Sequence, residues 1–310
     1  MNLRSFSISI FAAVAVVALS GMKGQPSNNY QNAIEQLDLL VKNNADVAQK
    51  FVLAKSDSGE TIWGVRIAKA TTKNRQGDID LSPRLVVASH HGNELLSVDL
   101  ALQFTKDLIE ETRHPKWGDA GDQTYYIIPA LNVTGYNKED RFEKNAAGTV
   151  VDPNRDYPDP CGPKNSFQLK STKALADFMT AKKIISAVTI HGYVGTFTYP
   201  WGTYAENTHT ADHFKFDTLG KAAVRENGYQ TGTHADVIYP TAGAFEDWAY
   251  SELGTWTMLL ELDNQPNLAN DSKALLRFFA DVPKSASKNH NFAGKCRANR
   301  PADRNIRARP

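Results

Sequence analysis

Apolar residues along this chain recur with two different spacings, and the alternation between them predicts its elements. Ile34, Leu37, Leu40 and Val41 stand three to four apart, which predicts a helix over Tyr30–Val47. The same spacing at Leu96, Leu100, Phe104 and Ile109 predicts a helix over Leu95–Glu110. Further helices are expected at Thr172–Lys183, Asp212–Asn227, Phe245–Leu253 and Lys273–Val282. Between them lie short continuous apolar runs at Pro83–Ser89, Tyr125–Pro129, Ile184–Ile190 and Thr255–Leu262. Runs of that length read as strands covered on both faces of a sheet. Glu60–Ala70 has strand character as well. Strands alternating with helices over one stretch argue for the α/β class: a single domain, with a mixed, mostly parallel twisted sheet and helices on both faces. Ligands of such sheets bind beyond the carboxyl ends of the strands.

The N-terminus follows another pattern. One positive charge at Arg4 precedes a nearly unbroken apolar or small run, Phe6–Leu19, and Ala18-Leu19-Ser20 offers small residues at a cleavage site. Residues 1–20 therefore read as a secretory signal peptide, which implies a secreted or periplasmic protein with no membrane attachment after cleavage. The chain of 310 residues carries 35 basic and 34 acidic side chains, a net charge of +1. No global field argues for nucleic acid or an anionic membrane. The two cysteines, Cys161 and Cys296, could form one disulfide in an exported protein, although nothing in the sequence shows that they are close. Residues 284–310 are basic and poor in large apolar residues, and are expected to form a mobile tail.

The chemistry gathers at strand ends. "SHHGNEL" closes the run before Ser89 and carries His91 and Glu94, a spacing able to hold a metal. Such a pair arises by chance, so a third ligand is needed; catalytic zinc takes three protein ligands and leaves one position for water. His191 ends the run Ala187-Val188-Thr189-Ile190 and is the best candidate. His90 should point away from His91 and reads as structural. His209 and His213 in "HTADHF" are four apart, but no general-base Glu accompanies them, and they read as the start of a surface helix.

With "HGNE", "VDPNRDYP", "HGYVGTFTYPWG" and "YPTAGAFEDWAYSELGTWTMLLEL" in order, the chain resembles the zinc carboxypeptidases of the pancreatic A/B type from about Tyr30 to Val282. The resemblance implies a catalytic domain over residues 25–283, a peptide substrate with a free C-terminus, and one Zn2+ per chain held by His91, Glu94 and His191. It implies that Asn154 and Arg155 bind the substrate carboxylate and that Asp152 orients a ligand histidine. Tyr239 matches the mobile substrate-binding tyrosine and Glu261 the catalytic glutamate. Glu246, before Asp247-Trp248, matches the residue lining the pocket for the terminal side chain. An acid there favours terminal Lys or Arg; the alternative is that it points to solvent or bonds backbone. The family's electrophilic Arg has no clean counterpart: in "EDRFEKNAAG" either Arg141 or Lys144 could serve, and Lys cannot make a bidentate fork. No pro-segment is evident between the signal and Tyr30. "HGNE" is also typical of the aspartoacylase and succinylglutamate desuccinylase group, zinc amidohydrolases of N-acyl amino acids, which are not similar to this chain at "TYPWG" or "FEDWAY". A silent binding module would have no need of His91, Glu94, His191 and Glu261 together.

Overall fold

The protein is described as a computed structural model covering residues 29–69, 73–74, 77–78, 80–162 and 166–298. The expected signal peptide and the last twelve residues of the expected tail lie outside the described residues. In chain order the elements are α1 (Asn29–Asn43), β1 (Ala48–Lys55), β2 (Thr61–Ile67), β3 (Lys73–Asn74), β4 (Gly77–Asp78), β5 (Arg84–Ala88), α2 (Leu96–Arg113), β6 (Tyr125–Ile128), α3 (Val133–Lys138), β7 (Glu143–Lys144), β8 (Val150–Val151), α4 (Lys170–Lys182), β9 (Ser186–Gly192), β10 (Thr196–Tyr199), α5 (His213–Ala223), β11 (Gln230–Thr233), α6 (His234–Val237), α7 (Phe245–Leu253), β12 (Trp256–Leu262) and α8 (Leu268–Asp281).

Eight strands form one mixed sheet in the order β1-β2-β6-β5-β9-β12-β10-β11. The four central strands, β6, β5, β9 and β12, run parallel. They are the four apolar runs of the sequence, and every residue of β5 and β6 is buried. A strand covered on both faces has no polar face to show, so continuity replaces alternation. Helices flank the sheet: α2, α5 and α8 pack together with α1 beside α2, while α4 packs on β1 and α7 on β9 and β12. The predicted first helix overran, because its last residues turn at Asn44 and enter β1.

Parallel alignment sets the site. Ala88 of β5 is level with Ile190 of β9, and His191 of β9 is level with Glu261 of β12. The carboxyl ends of three strands thus form one rim, where this class of sheet binds its ligands. The segment after α8 departs from its expectation as a mobile tail. Through residue 298 it is docked: His290 Nδ1 lies 2.7 Å from the carbonyl oxygen of Ser251, Cys296 forms a β-bridge with Ala205, and Cys296 is joined to Cys161 by a disulfide.

Candidate active site

β5 ends at Ala88, and the left-handed backbone of Ser89 (φ 55°) turns the chain out of the sheet. That conformation costs a non-glycine residue about 1 kcal/mol. The turn that follows lies directly on α3: a side-chain carbon on Gly92 would stand 2.1 Å from the backbone of Gly135. Only glycine fits, and the close approach holds His91 and Glu94 on either side of it. Asn93 is exposed. His91 Nδ1 lies 2.7 Å from Glu94 Oε1, and His191 Nδ1 lies 2.9 Å from Glu94 Oε2 and 3.1 Å from His91 Nδ1. All three residues are buried, and one donor atom from each falls within 4.8 Å of the others.

The outer ring nitrogens are also occupied. His91 Nε2 is 3.0 Å from Asp152 Oδ1, and His191 Nε2 is 3.0 Å from the Thr189 hydroxyl. Metal-binding histidines are held this way, with the far nitrogen tied so that the near lone pair faces the ion. Burial opposes the charge on Glu94, yet the two histidines hold its carboxyl low, at about 2. Burial likewise opposes charge on His91, but Glu94 and Asp152 raise its pKa to about 9. Two carboxylates around one imidazole favour positive charge at this place, a proton or a metal ion. Two neutral imidazoles and one carboxylate are the donor set of a catalytic zinc, and they fit one ion.

Asp152 caps a short turn over Pro153–Arg155 and accepts the Asn154 backbone N–H at 3.0 Å. Burial would raise its pKa, but the charges of His91, Arg155 and Arg141 hold it well below the usual carboxylate range. Arg141 donates to Asp152 Oδ2 from Nε at 3.0 Å, and its Nη1 comes within 3.2 Å of His91 Nδ1. Lys144 is exposed on β7, while the neighbouring Glu143 is buried on the opposite side of the strand. Of the two alternatives left open by the sequence, the fold brings Arg141 to the cluster and leaves Lys144 outside. Asn154 is buried, its amide oxygen accepting Phe245 N at 2.9 Å; Arg155 is half-buried. Gly243 (φ 77°) presses against Arg155, with room for no side-chain carbon (2.5 Å to the Arg155 carbonyl oxygen).

Glu261 lies level with His191 on β12, at the edge of the metal cluster. Burial, then the charge of Glu94, pushes its carboxyl up to about 8. Glu246 is the second residue of α7 and is fully buried rather than turned to solvent. Its neighbour Asp247 accepts the Gly202 and Thr203 backbone N–H groups at 2.9 and 2.6 Å, pinning the loop after β10. Tyr239 stands at the rim, 47% exposed.

Two groups stay outside. His90 is buried, with Nε2 2.9 Å from the Tyr157 hydroxyl and Nδ1 3.0 Å from that of Thr189, which makes it a core histidine with both nitrogens satisfied. His209 and His213 stack ring on ring at 3.5 Å, where α5 begins. His234, which sequence reasoning did not single out, is buried with Nδ1 3.4 Å from Glu246 Oε1.

This geometry has relatives. The zinc carboxypeptidase family matches residues 33–279, which is most of the chain. The chain belongs to the zinc carboxypeptidase family. It is 27% identical over 252 residues to a zinc carboxypeptidase of Simulium vittatum, spanning 70% of this chain and 79% of that one. It is 25% identical over 283 residues to human carboxypeptidase B, spanning 79% of this chain and 65% of that protein, slightly under two thirds of its length. Among solved structures, thrombin activatable fibrinolysis inhibitor superposes with a TM-score of 0.70 at 17% identity, covering 81% of this chain and 73% of that one. Carboxypeptidase A from Helicoverpa armigera gives 0.68 at 16% identity, with 81% and 72% covered. These structural likenesses establish the fold. The family match favours the carboxypeptidase expectation over the N-acyl amino acid hydrolases, and the protein is a zinc metallocarboxypeptidase of a family that acts on peptides.

Proposed function

We propose that this chain, exported from the cell, removes single residues from the free C-terminus of peptides, with a preference for terminal Lys or Arg. One observation carries the reading: Asn154 and Arg155 belong to the same short turn as Asp152, whose carboxylate stands against His91. The carboxylate-binding residues and the metal cluster are thus fixed to one another through a single turn. An Arg fork beside an Asn amide takes a carboxylate with parallel hydrogen bonds, which demands a chain end. That demand separates an exopeptidase from an endopeptidase.

His91, Glu94 and His191 would hold a zinc ion, which would supply an acidified water and polarise the scissile carbonyl. Glu261 takes the proton of the attacking water and delivers it to the leaving amine. Arg141 offers N–H donors to the oxygen on which charge develops, the role left open between it and Lys144. Tyr239, at the rim, covers the bound terminal residue. Glu246 supplies a buried acid for a cationic side chain. Export is supported by the N-terminal pattern and by the Cys161–Cys296 disulfide, since such bonds persist in oxidising compartments. No described helix is long and apolar enough to cross a membrane. Residues 25–283 would form the catalytic domain.

The test is hydrolysis of a short peptide with and without a chelator, read by mass. Loss of one C-terminal residue, abolished by chelation, is expected; fragments cut from the middle would contradict the exopeptidase reading. A panel of terminal residues tests the pocket, and a preference for Phe or Leu over Lys and Arg would refute the role given to Glu246.

A further inference from the structure

Three buried side-chain atoms on the neighbouring residues Glu246 and His234 have no aligned hydrogen bond among the described residues: Glu246 Oε1, Glu246 Oε2 and His234 Nε2. A buried polar atom left unpaired costs about 1–3 kcal/mol, so three at one place mark a site that awaits donors. His234 opens α6, and its ring is wedged against the loop after β10, 3.2 Å from where a side-chain carbon on Gly202 would stand. Its Nδ1 approaches Glu246 Oε1 at 3.4 Å and the Thr198 hydroxyl at 3.5 Å. The Tyr239 ring at the rim lies 5.9 Å from the His234 ring.

We propose that His234 is a second determinant of the terminal-side-chain pocket, acting with Glu246 as one unit that accepts the donor-only head group of a terminal lysine or arginine. The inference rests on the reading of Glu246 as pocket lining. With its Nδ1 proton turned toward Glu246, the imidazole leaves Nε2 as an acceptor. Burial, with the charge of Arg155 adding to it, pushes the His234 pKa down to about 3, so the ring stays neutral across the physiological range; burial also pushes the Glu246 carboxyl up to about 7, and an arriving cationic head group favours its charged form. With Glu246 ionised against a bound cation, the pocket offers acceptors and no free donor. An ammonium carries three N–H donors and a guanidinium five, and neither carries an acceptor. A terminal Asp or Glu would meet only acceptors and be rejected, and a terminal Leu would leave Glu246 Oε2 and His234 Nε2 without a donor.

The experiment uses the zinc-loaded full chain and matched peptides ending in Arg, Lys or Leu. His234→Phe keeps the ring and removes both nitrogens. The ratio of kcat/KM for Arg over Leu is expected to fall about ten-fold or more, the worth of a hydrogen bond to a charged group, and to fall through KM with little change in kcat. His234→Gln, which restores an acceptor, should recover part of the ratio. In a Glu246→Gln background, His234→Phe should add less than it does alone, since residues acting as a unit are not additive. If Glu246→Gln collapses the ratio while His234→Phe leaves it intact, the role of His234 is overturned and that of Glu246 stands. If neither variant moves the ratio, the reading of Glu246 fails and this inference with it. Should His234→Phe lose its zinc or its melting transition, the same comparisons are read on His234→Leu.

Discussion

One oxygen of Asp152 stands 3.0 Å from His91 Nε2, on the edge of the ring opposite the nitrogen that meets Glu94. If the carboxylate accepts a proton carried on Nε2, the Nδ1 lone pair is left for an ion. Asp152→Asn keeps the shape but weakens the acceptor. Zinc affinity should fall about 10- to 100-fold, the usual cost of losing such a partner. Competition with a graded chelator measures it, and retention equal to the parent chain would remove Asp152 from the metal site.

Glu261 has the burial and position of a base that must lose its proton before it can act. Burial and the charge of Glu94 favour the protonated form, raising its pKa to about 8, whereas a bound cation favours the carboxylate. Activity should therefore fall as pH drops through the pKa of Glu261 in the zinc-loaded protein. Glu261→Gln should retain zinc, lower kcat by about 10²- to 10⁴-fold, and lose that acidic limb. Near-normal turnover in the variant would exclude Glu261 from the reaction.

Glu143 makes a cleaner pH prediction, because it lies on β7, is not one of the three metal-binding residues, and is buried. Burial raises its pKa to about 7, and the nearby charges of Asp57, Glu60 and Asp156 add to this, although Ser171 donates a hydrogen bond to it at 2.7 Å. Between 4.5 and about 7 the folded chain holds a proton that the unfolded chain has released, so stability is present below that window and is lost as pH rises through it. The difference corresponds to on the order of 3 kcal/mol. Glu143→Gln, which stays neutral, should flatten the dependence of denaturant midpoint on pH between 5 and 7. An unaltered profile would show that Glu143 ionises normally.

The central sheet was legible because strands buried on both faces leave unbroken apolar runs, and β5, β6, β9 and β12 are those runs. β11 reads Gln-Thr-Gly-Thr and has no apolar signal at all; it is an edge strand held by backbone pairing to β10. The start of α8 at Leu268, five residues before the expectation, follows from the Asn267 cap, whose side chain accepts Asn270 N at 3.2 Å. In the site, the metal trio and the Asn154-Arg155 pair carried motifs. His234 carried none: it follows a polar strand, and only the fold sets it against Glu246. Gly92 belonged to a visible motif, but its reason, backbone contact with α3, lies forty residues away in the chain. The disulfide was equally hidden, since Cys161 and Cys296 are separated by 135 positions.

Arg141 and Lys144 are three residues apart and could not be ranked from sequence. The chain enters β7 between them, and alternation along that strand sends Glu143 inward and Lys144 to solvent, while Arg141, just before the strand, reaches Asp152 and His91. If Arg141 supplies the donors for the developing negative charge, Arg141→Ala should lower kcat by about 10²- to 10³-fold, the loss seen for one oxyanion donor. Because Arg141 also braces Asp152, zinc content must be measured alongside; full occupancy with lost turnover assigns the effect to the reaction and not to the metal. Arg141→Lys restores charge without the fork and should recover only part of the rate. Lys144→Ala, a change at an exposed position, should remain within about two-fold of the parent in every parameter, in keeping with the small effects of surface substitutions. The reverse outcome, a large loss at Lys144 and none at Arg141, would exchange the two roles.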